Sequence, residues 1–241
     1  MTQAPGQLLV KGVERVIELR YPAAQDFVER ARARQPQATP AQIGALAIAR
    51  AEKELMTLGA ASGGSAAVPG AGTAVAIGAI GADLIASGAR LTEMTMRIAV
   101  AYEHPMEDLE ARRAVVLTIM LGGVGGQKVV NKAAAELGKG LSSQALKHIS
   151  GQQLRVINRF LGRTIITKYG TKRGVISLGR ALPFGVGAVI GAGGNYLVAR
   201  STGRYAIRFF DEGDWSADPG EDVIDVDEAG LDDESESRDA D

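Results

Sequence analysis

Few residues of this chain have the type or spacing that chemistry requires. There are two histidines, His104 and His148, and no cysteine. Thiolate nucleophiles, disulfides and zinc–thiolate sites are therefore excluded, and a reducing compartment is compatible. Gly64-Ser65-Ala66 and Ser142-Ser143 lack the G-x-S-x-G context of a nucleophile elbow. Gly70-Ala71-Gly72 falls short of a dinucleotide loop, because Val75 stands in the place of the third glycine and no strand pattern precedes it. The glycines from Gly122 to Gly126 lead into Gln127-Lys128 rather than Gly-Lys-Ser/Thr. They read as a link between helices, not a P-loop. Glu107, Asp108 and Glu110 follow Pro105, where the positive end of a helix attracts acids without any cation. The sequence predicts no catalytic residue, no metal site and no cofactor.

Two other features could carry function. Asp83 lies on an apolar stretch, with no charged residue between it and Glu54. A lone carboxylate is costly to bury, so Asp83 is expected to be a polar lock, satisfied by Arg90 seven positions on, by Asn195 or by a C-terminal arginine. A ligand or proton site is the alternative if the segment enters lipid. The second feature is a basic block. No Asp or Glu occurs between Leu137 and Phe210, a stretch that holds 12 Lys and Arg. Lys147, Arg155, Arg159, Arg163 and Lys168 interleave with Leu154, Ile157, Phe160, Leu161, Ile165 and Ile166, and Lys172 and Arg173 follow in a turn. A basic amphipathic helix suits an anionic membrane surface or an acidic partner; a solvated helix face is the plainer reading. No helix-turn-helix signature or stacking aromatics accompany the charges, so nucleic acid is not expected as a partner.

The elements that must position these residues are helical. The expected fold is all-α, a single domain of about seven helices. Residues 1–38 form an N-terminal helical region, 39–210 the main helical domain and 211–241 a disordered acidic tail. Apolar residues at Leu9, Val13, Val16 and Ile17 give the first helix. Thr39-Pro40-Ala41-Gln42 is a capping box opening a helix to about Leu58. Two glycine-rich helices, over 70–102 and 183–208, are expected to form a central pair. Val68-Pro69-Gly70 with Asp83 resembles Leu182-Pro183-Phe184-Gly185 with Asn195, either as a pseudo-repeat or as two convergent small-residue helices. The tail holds 15 acidic residues and one basic residue, and its composition cannot bury a core. It is placed to compete for the basic surface of the rest.

In order along the chain, Val68-Pro69-Gly70-x-Gly72 with Asp83, Arg97-Ile98-Ala99-x-Ala101-Tyr102 and Asp108-x-x-x-Arg112-Arg113 resemble the middle of EcsC family proteins. Pro183-x-Gly185-x-Gly187-Ala188-x-Ile190-Gly191-Ala192-x-x-Asn195-Tyr196, with Arg204 and Arg208-Phe209-Phe210, is similar to that family's closing motif. Glu103 departs from the pattern, since family members often have Gly after the tyrosine. The family is named for a gene beside those of an ABC transporter, its biochemical role is not established, and the resemblance supplies no catalytic residues. It implies a non-catalytic accessory protein, docking at the inner face of the cytoplasmic membrane or on a membrane complex such as a transporter. The N-terminus shows no secretory signal, so a cytoplasmic, peripheral location is expected. The alternatives are a lipid-acting enzyme using Asp83 and a serine, and an integral hairpin of residues 58–81 and 183–198, the second span being short for a crossing.

Overall fold

The computed structural model describes residues 5–66, 73–123, 131, 135, 146–169 and 187–211. Among them are seven helices and no strand: α1 (Pro5–Leu19), α2 (Tyr21–Arg34), α3 (Pro40–Ala66), α4 (Thr73–Ala101), α5 (Leu109–Gly122), α6 (Gly151–Tyr169) and α7 (Gly187–Asp211). The proline motifs at 67–72 and 182–186, the tail beyond Asp211, most of the helix expected over 127–150, and Lys172 and Arg173 lie outside the described residues.

Local chemistry accounts for the helix ends. Thr39 Oγ1 accepts from Gln42 N at 3.2 Å while Gln42 Oε1 accepts from Thr39 N at 2.8 Å, which is the capping box expected there. Ser150 and Gln153 repeat the arrangement at the start of α6. Pro22 sits in the first turn of α2, where its missing N–H costs nothing. α3 runs past Leu58 to Ala66, because its alanines propagate a helix and the first proline beyond is Pro69. α5 begins later than Pro105 suggests. Asp108 Oδ1 accepts from Ala111 N at 2.8 Å, and that side-chain cap, not the proline, fixes the start.

α4 ends in a Schellman motif. His104 N donates to Ala99 O and Glu103 N to Val100 O, each at 3.0 Å. This geometry places Glu103 at φ 53°, the left-handed region that favours glycine. Glu103 thus occupies a conformation that glycine adopts without strain. Arg32 holds it there, donating to Glu103 Oε1 at 3.0 Å and to Ala101 O at 3.1 Å.

α4 is the central helix. Every residue from Leu91 to Ala99 is buried, because α1, α2, α3, α5 and α7 all pack on it. One continuous core takes Val13 and Ile17 from α1, Ala24 from α2, Leu55 from α3, Met94 and Ile98 from α4, Ile119 from α5, Ile157 and Leu161 from α6 and Phe209 from α7. The N-terminal helices are therefore part of the same core. α7 meets α4, as expected of a central pair, but its broadest packing is against α3.

Glycine makes that packing close. A Cβ on Gly203 of α7 would lie 2.4 Å from Ile48 Cγ1 of α3. Gly123 caps α5 with ordinary right-handed angles, so the backbone does not demand glycine there. Packing does: a Cβ would lie 2.5 Å from Thr202 Cα of α7. Gly122 and Gly123 are a helix crossing rather than only a link, and Ser201 Oγ fastens it by donating to Gly123 O at 2.9 Å.

Two stability measurements check these points. Gly123→Ala should lower unfolding free energy by about 1–3 kcal/mol through overpacking. Gly162→Ala on α6, where a Cβ meets nothing within 4 Å, should be neutral or raise it by up to about 1 kcal/mol; equal effects would show that the α5–α7 crossing is not tight. Glu103→Gly relieves a left-handed strain of about 1–2 kcal/mol and loses an exposed ion pair worth about 0–1 kcal/mol. Denaturant melts should find it at least as stable as the parent, with Glu103→Val clearly less stable.

Candidate anionic-surface interface

α6 has two unlike faces. Leu154, Ile157 and Leu161 are buried against α1 and α5. Asn158 fixes the rotation of the helix, its Nδ2 donating to Glu110 O at 2.9 Å and to Glu110 Oε2 at 2.7 Å. Glu110 is held in turn by Arg113 at 2.9 Å. With the apolar side pinned inward, Arg155, Arg159 and Arg163 fall at four-residue intervals on the outer side and all are exposed. None of the three forms an ion pair with a described residue. Val156, 50% exposed, lies among them. Lys147 is exposed in the helical turn before α6. Lys168 lies on α6, but its side chain is outside the described residues.

The other expected site residues separate. Asn195, on α7, donates from Nδ2 to Leu55 O of α3 at 3.2 Å, joining the two helices that pack most broadly. Asp83 lies on α4, and its side chain is outside the described residues. Arg90, considered as its partner, lies 3.5 Å from each of Glu54 and Glu93.

The sequence reading missed the largest charged constellation among the described residues. Glu93, with its side chain 8% exposed, takes Arg20 Nε on Oε1 at 2.8 Å and Arg97 on Oε2 at 3.0 Å. Arg50 Nε reaches Glu54 Oε1 at 2.9 Å. Phe27 lies under the Arg97 guanidinium, 5.0 Å from centroid to Cζ. Its i, i+4 and i, i+3 spacings (Arg50/Glu54, Arg90/Glu93, Glu93/Arg97) were visible in the sequence. What was not visible is that α3, α4 and the α1–α2 corner converge. Arg112, in one of the motifs, stitches α5 to the end of α1 by donating to Ile17 O at 2.9 Å, and its guanidinium covers the Tyr21 ring. Burial raises the Tyr21 phenol, with Glu107 adding and Arg112 opposing.

His104 caps α4 through its backbone, and its ring is buried against Phe210 at 5.3 Å between centroids. Burial pushes its pKa down to about 4; Lys147 adds to the fall and Glu107 opposes it. Tyr102 stacks on the same Phe210 and is pushed up to about 12 by burial and by Asp211. Both rings pack on Phe210, His104 buried and Tyr102 half-buried. An open surface groove between α3 and α7 is lined by Ala45, Ile48, Ala49, Glu52, Arg200 and Arg204 among others. Among the described residues no group of three or more acids and histidines could hold a metal ion, and no helix is long and apolar enough to cross a membrane. Comparison with protein-family models, with curated proteins and with solved structures found no match.

The His104 environment sets a pH dependence. The folded pKa lies below the unfolded value of 6.5, so the unfolded chain binds the extra proton between the two. Stability contributed by neutral His104 is complete above about pH 6.5 and falls as pH drops toward 4, by up to about 1.4 kcal/mol per pH unit. Denaturant melts from pH 7 to pH 4 should show a shallower loss for His104→Gln than for the parent chain; parallel losses would contradict a buried neutral imidazole.

Proposed function

We propose that this chain is an EcsC-like, non-catalytic accessory protein that docks from the cytoplasmic side on an anionic membrane surface, or on a membrane complex displaying one. The observation that carries the reading is the outer face of α6, where Arg155, Arg159 and Arg163 are exposed and without ion-pair partners among the described residues while the opposite face is buried. Each basic side chain near an anionic leaflet contributes about 1 kcal/mol. Three arginines with Lys147 give reversible, salt-sensitive binding rather than insertion. Val156 adds a small apolar contact. Lys168, Lys172 and Arg173 extend the same positive sequence. The order and spacing of the motifs around Arg97, Arg112 and Asn195 support the family reading. The acidic tail, net negative like the membrane, competes for the same basic face.

Co-sedimentation with vesicles tests this. Binding should require phosphatidylglycerol in a phosphatidylcholine background and weaken as ionic strength rises past about 0.15 M, where screening acts over about 8 Å. Replacing Arg155, Arg159 and Arg163 together by Gln should weaken it roughly 100-fold, corresponding to about 3 kcal/mol. Absence of binding at low salt would refute docking through this face. Retention that ignores salt and yields only to detergent would favour the integral hairpin.

A further inference from the structure

We propose that Arg20, Arg50 and Arg90, grouped over the buried Arg97–Glu93 pair, form a binding site for a phosphate monoester dianion. The site is separate from the α6 face and does not depend on the docking role. It is built from three parts of the fold: the α1–α2 corner supplies Arg20, α3 supplies Arg50 and Glu54, and α4 supplies Arg90, Glu93 and Arg97.

Charge is the first argument. Among the described residues, four guanidiniums of the cluster share two carboxylates, an excess of two positive charges. Arg97 is 6% exposed. Burial depresses its pKa; Glu93 and Glu54 oppose that fall, and Arg50 and Arg20 deepen it. The like-charged Arg20 and Arg50 thus lie close enough to repel a buried guanidinium. An anion between them would relieve that repulsion.

Donor geometry is the second argument. Arg20 and Arg50 each engage their carboxylate through Nε. Their terminal nitrogens have no hydrogen-bond partner among the described residues, and their side chains are 51% and 53% exposed. Arg90 bridges both carboxylates only at 3.5 Å, with 40% of its side chain exposed. Three forked cations with part-exposed side chains, anchored by their own carboxylates, match the several acceptor oxygens and double charge of a phosphate monoester. A phosphodiester offers one charge and fewer free oxygens. The monoester could belong to a small phosphorylated molecule or to a phosphatidate headgroup, and the experiment separates these sources.

Thermal melts and calorimetric titration of the full chain with inorganic phosphate, against chloride at matched ionic strength, provide the test. Phosphate should raise the melting temperature above the chloride control. Arg50→Gln should weaken phosphate binding roughly tenfold, the equivalent of about 1.4 kcal/mol. That variant leaves Glu54 paired with Arg90, and circular dichroism verifies its fold. Arg20→Gln should act in the same direction. The variant carrying Gln at 155, 159 and 163 should keep the full phosphate response even where vesicle binding is lost, so the two proposals fail separately. Vesicles of phosphatidate and of phosphatidylglycerol, matched in surface charge, identify the source. A phosphatidate preference that Arg50→Gln removes supports the lipid headgroup; a response to free phosphate without that preference supports a soluble monoester. Equal melting in phosphate and chloride together with no phosphatidate preference, or an undiminished response in Arg50→Gln, would overturn the site.

Discussion

The burial of Glu93 is the constraint on which the surrounding helices depend. α4 is enclosed from Leu91 to Ala99, so a carboxylate on it has little access to bulk water and must be met by donors. Arg97 answers from one turn further along α4, and Arg20 answers from 73 positions away. Losing one member of such a buried pair typically costs about 3–5 kcal/mol, because the other charge is left without compensation. The position of the α1–α2 corner over α4 is thereby specified by a charge as well as by apolar packing. Phe27 beneath Arg97 adds a ring face to the same junction.

Around this polar centre the helices close by leaving side chains out. α7 approaches α3 at Gly203 and α5 at Gly122 and Gly123, where even a methyl group would overlap a neighbour. The glycine backbones there pack directly on the Ile48 and Tyr205 side chains and on the Thr202 backbone, and the hydrogen bonds of Asn195 and Ser201 to main-chain carbonyls fix the register. The aromatic content of the chain is low, yet Tyr102, Tyr205, Phe209 and Phe210 gather at the shared end of α4 and α7. There they bury His104 and close the core where small residues cannot.

The two sets of arginines have opposite environments. Arg20, Arg32, Arg50, Arg90, Arg97, Arg112 and Arg113 are stitched to carboxylates or to helix-end carbonyls, as with Arg32 on Ala101 and Arg112 on Ile17. Those of α6 point outward without ion-pair partners among the described residues. The absence of Asp and Glu between Leu137 and Phe210 makes this contrast a property of composition: no carboxylate lies near in sequence to pair with α6. Charge held in place is suited to specificity, and charge left free to salt-dependent surface attraction.

The sequence by itself determined whatever depends on neighbours within one or two turns. The Thr39–Gln42 capping box, the amphipathic spacing of Arg155, Arg159 and Arg163 and the all-helical character were legible, because hydrogen bonds and side-chain faces at i, i+3 and i+4 are local. The left-handed φ of Glu103 in its Schellman turn, by contrast, needed coordinates. Tertiary structure alone decided which distant charges meet. Arg90 meets Glu54, 36 positions earlier in the chain, because α3 brings that carboxylate alongside α4. Likewise Gly123 looked like part of a flexible link until α7 placed Thr202 against it. Contacts between residues far apart in the chain follow from how whole helix faces pack, and no short window of sequence contains both partners.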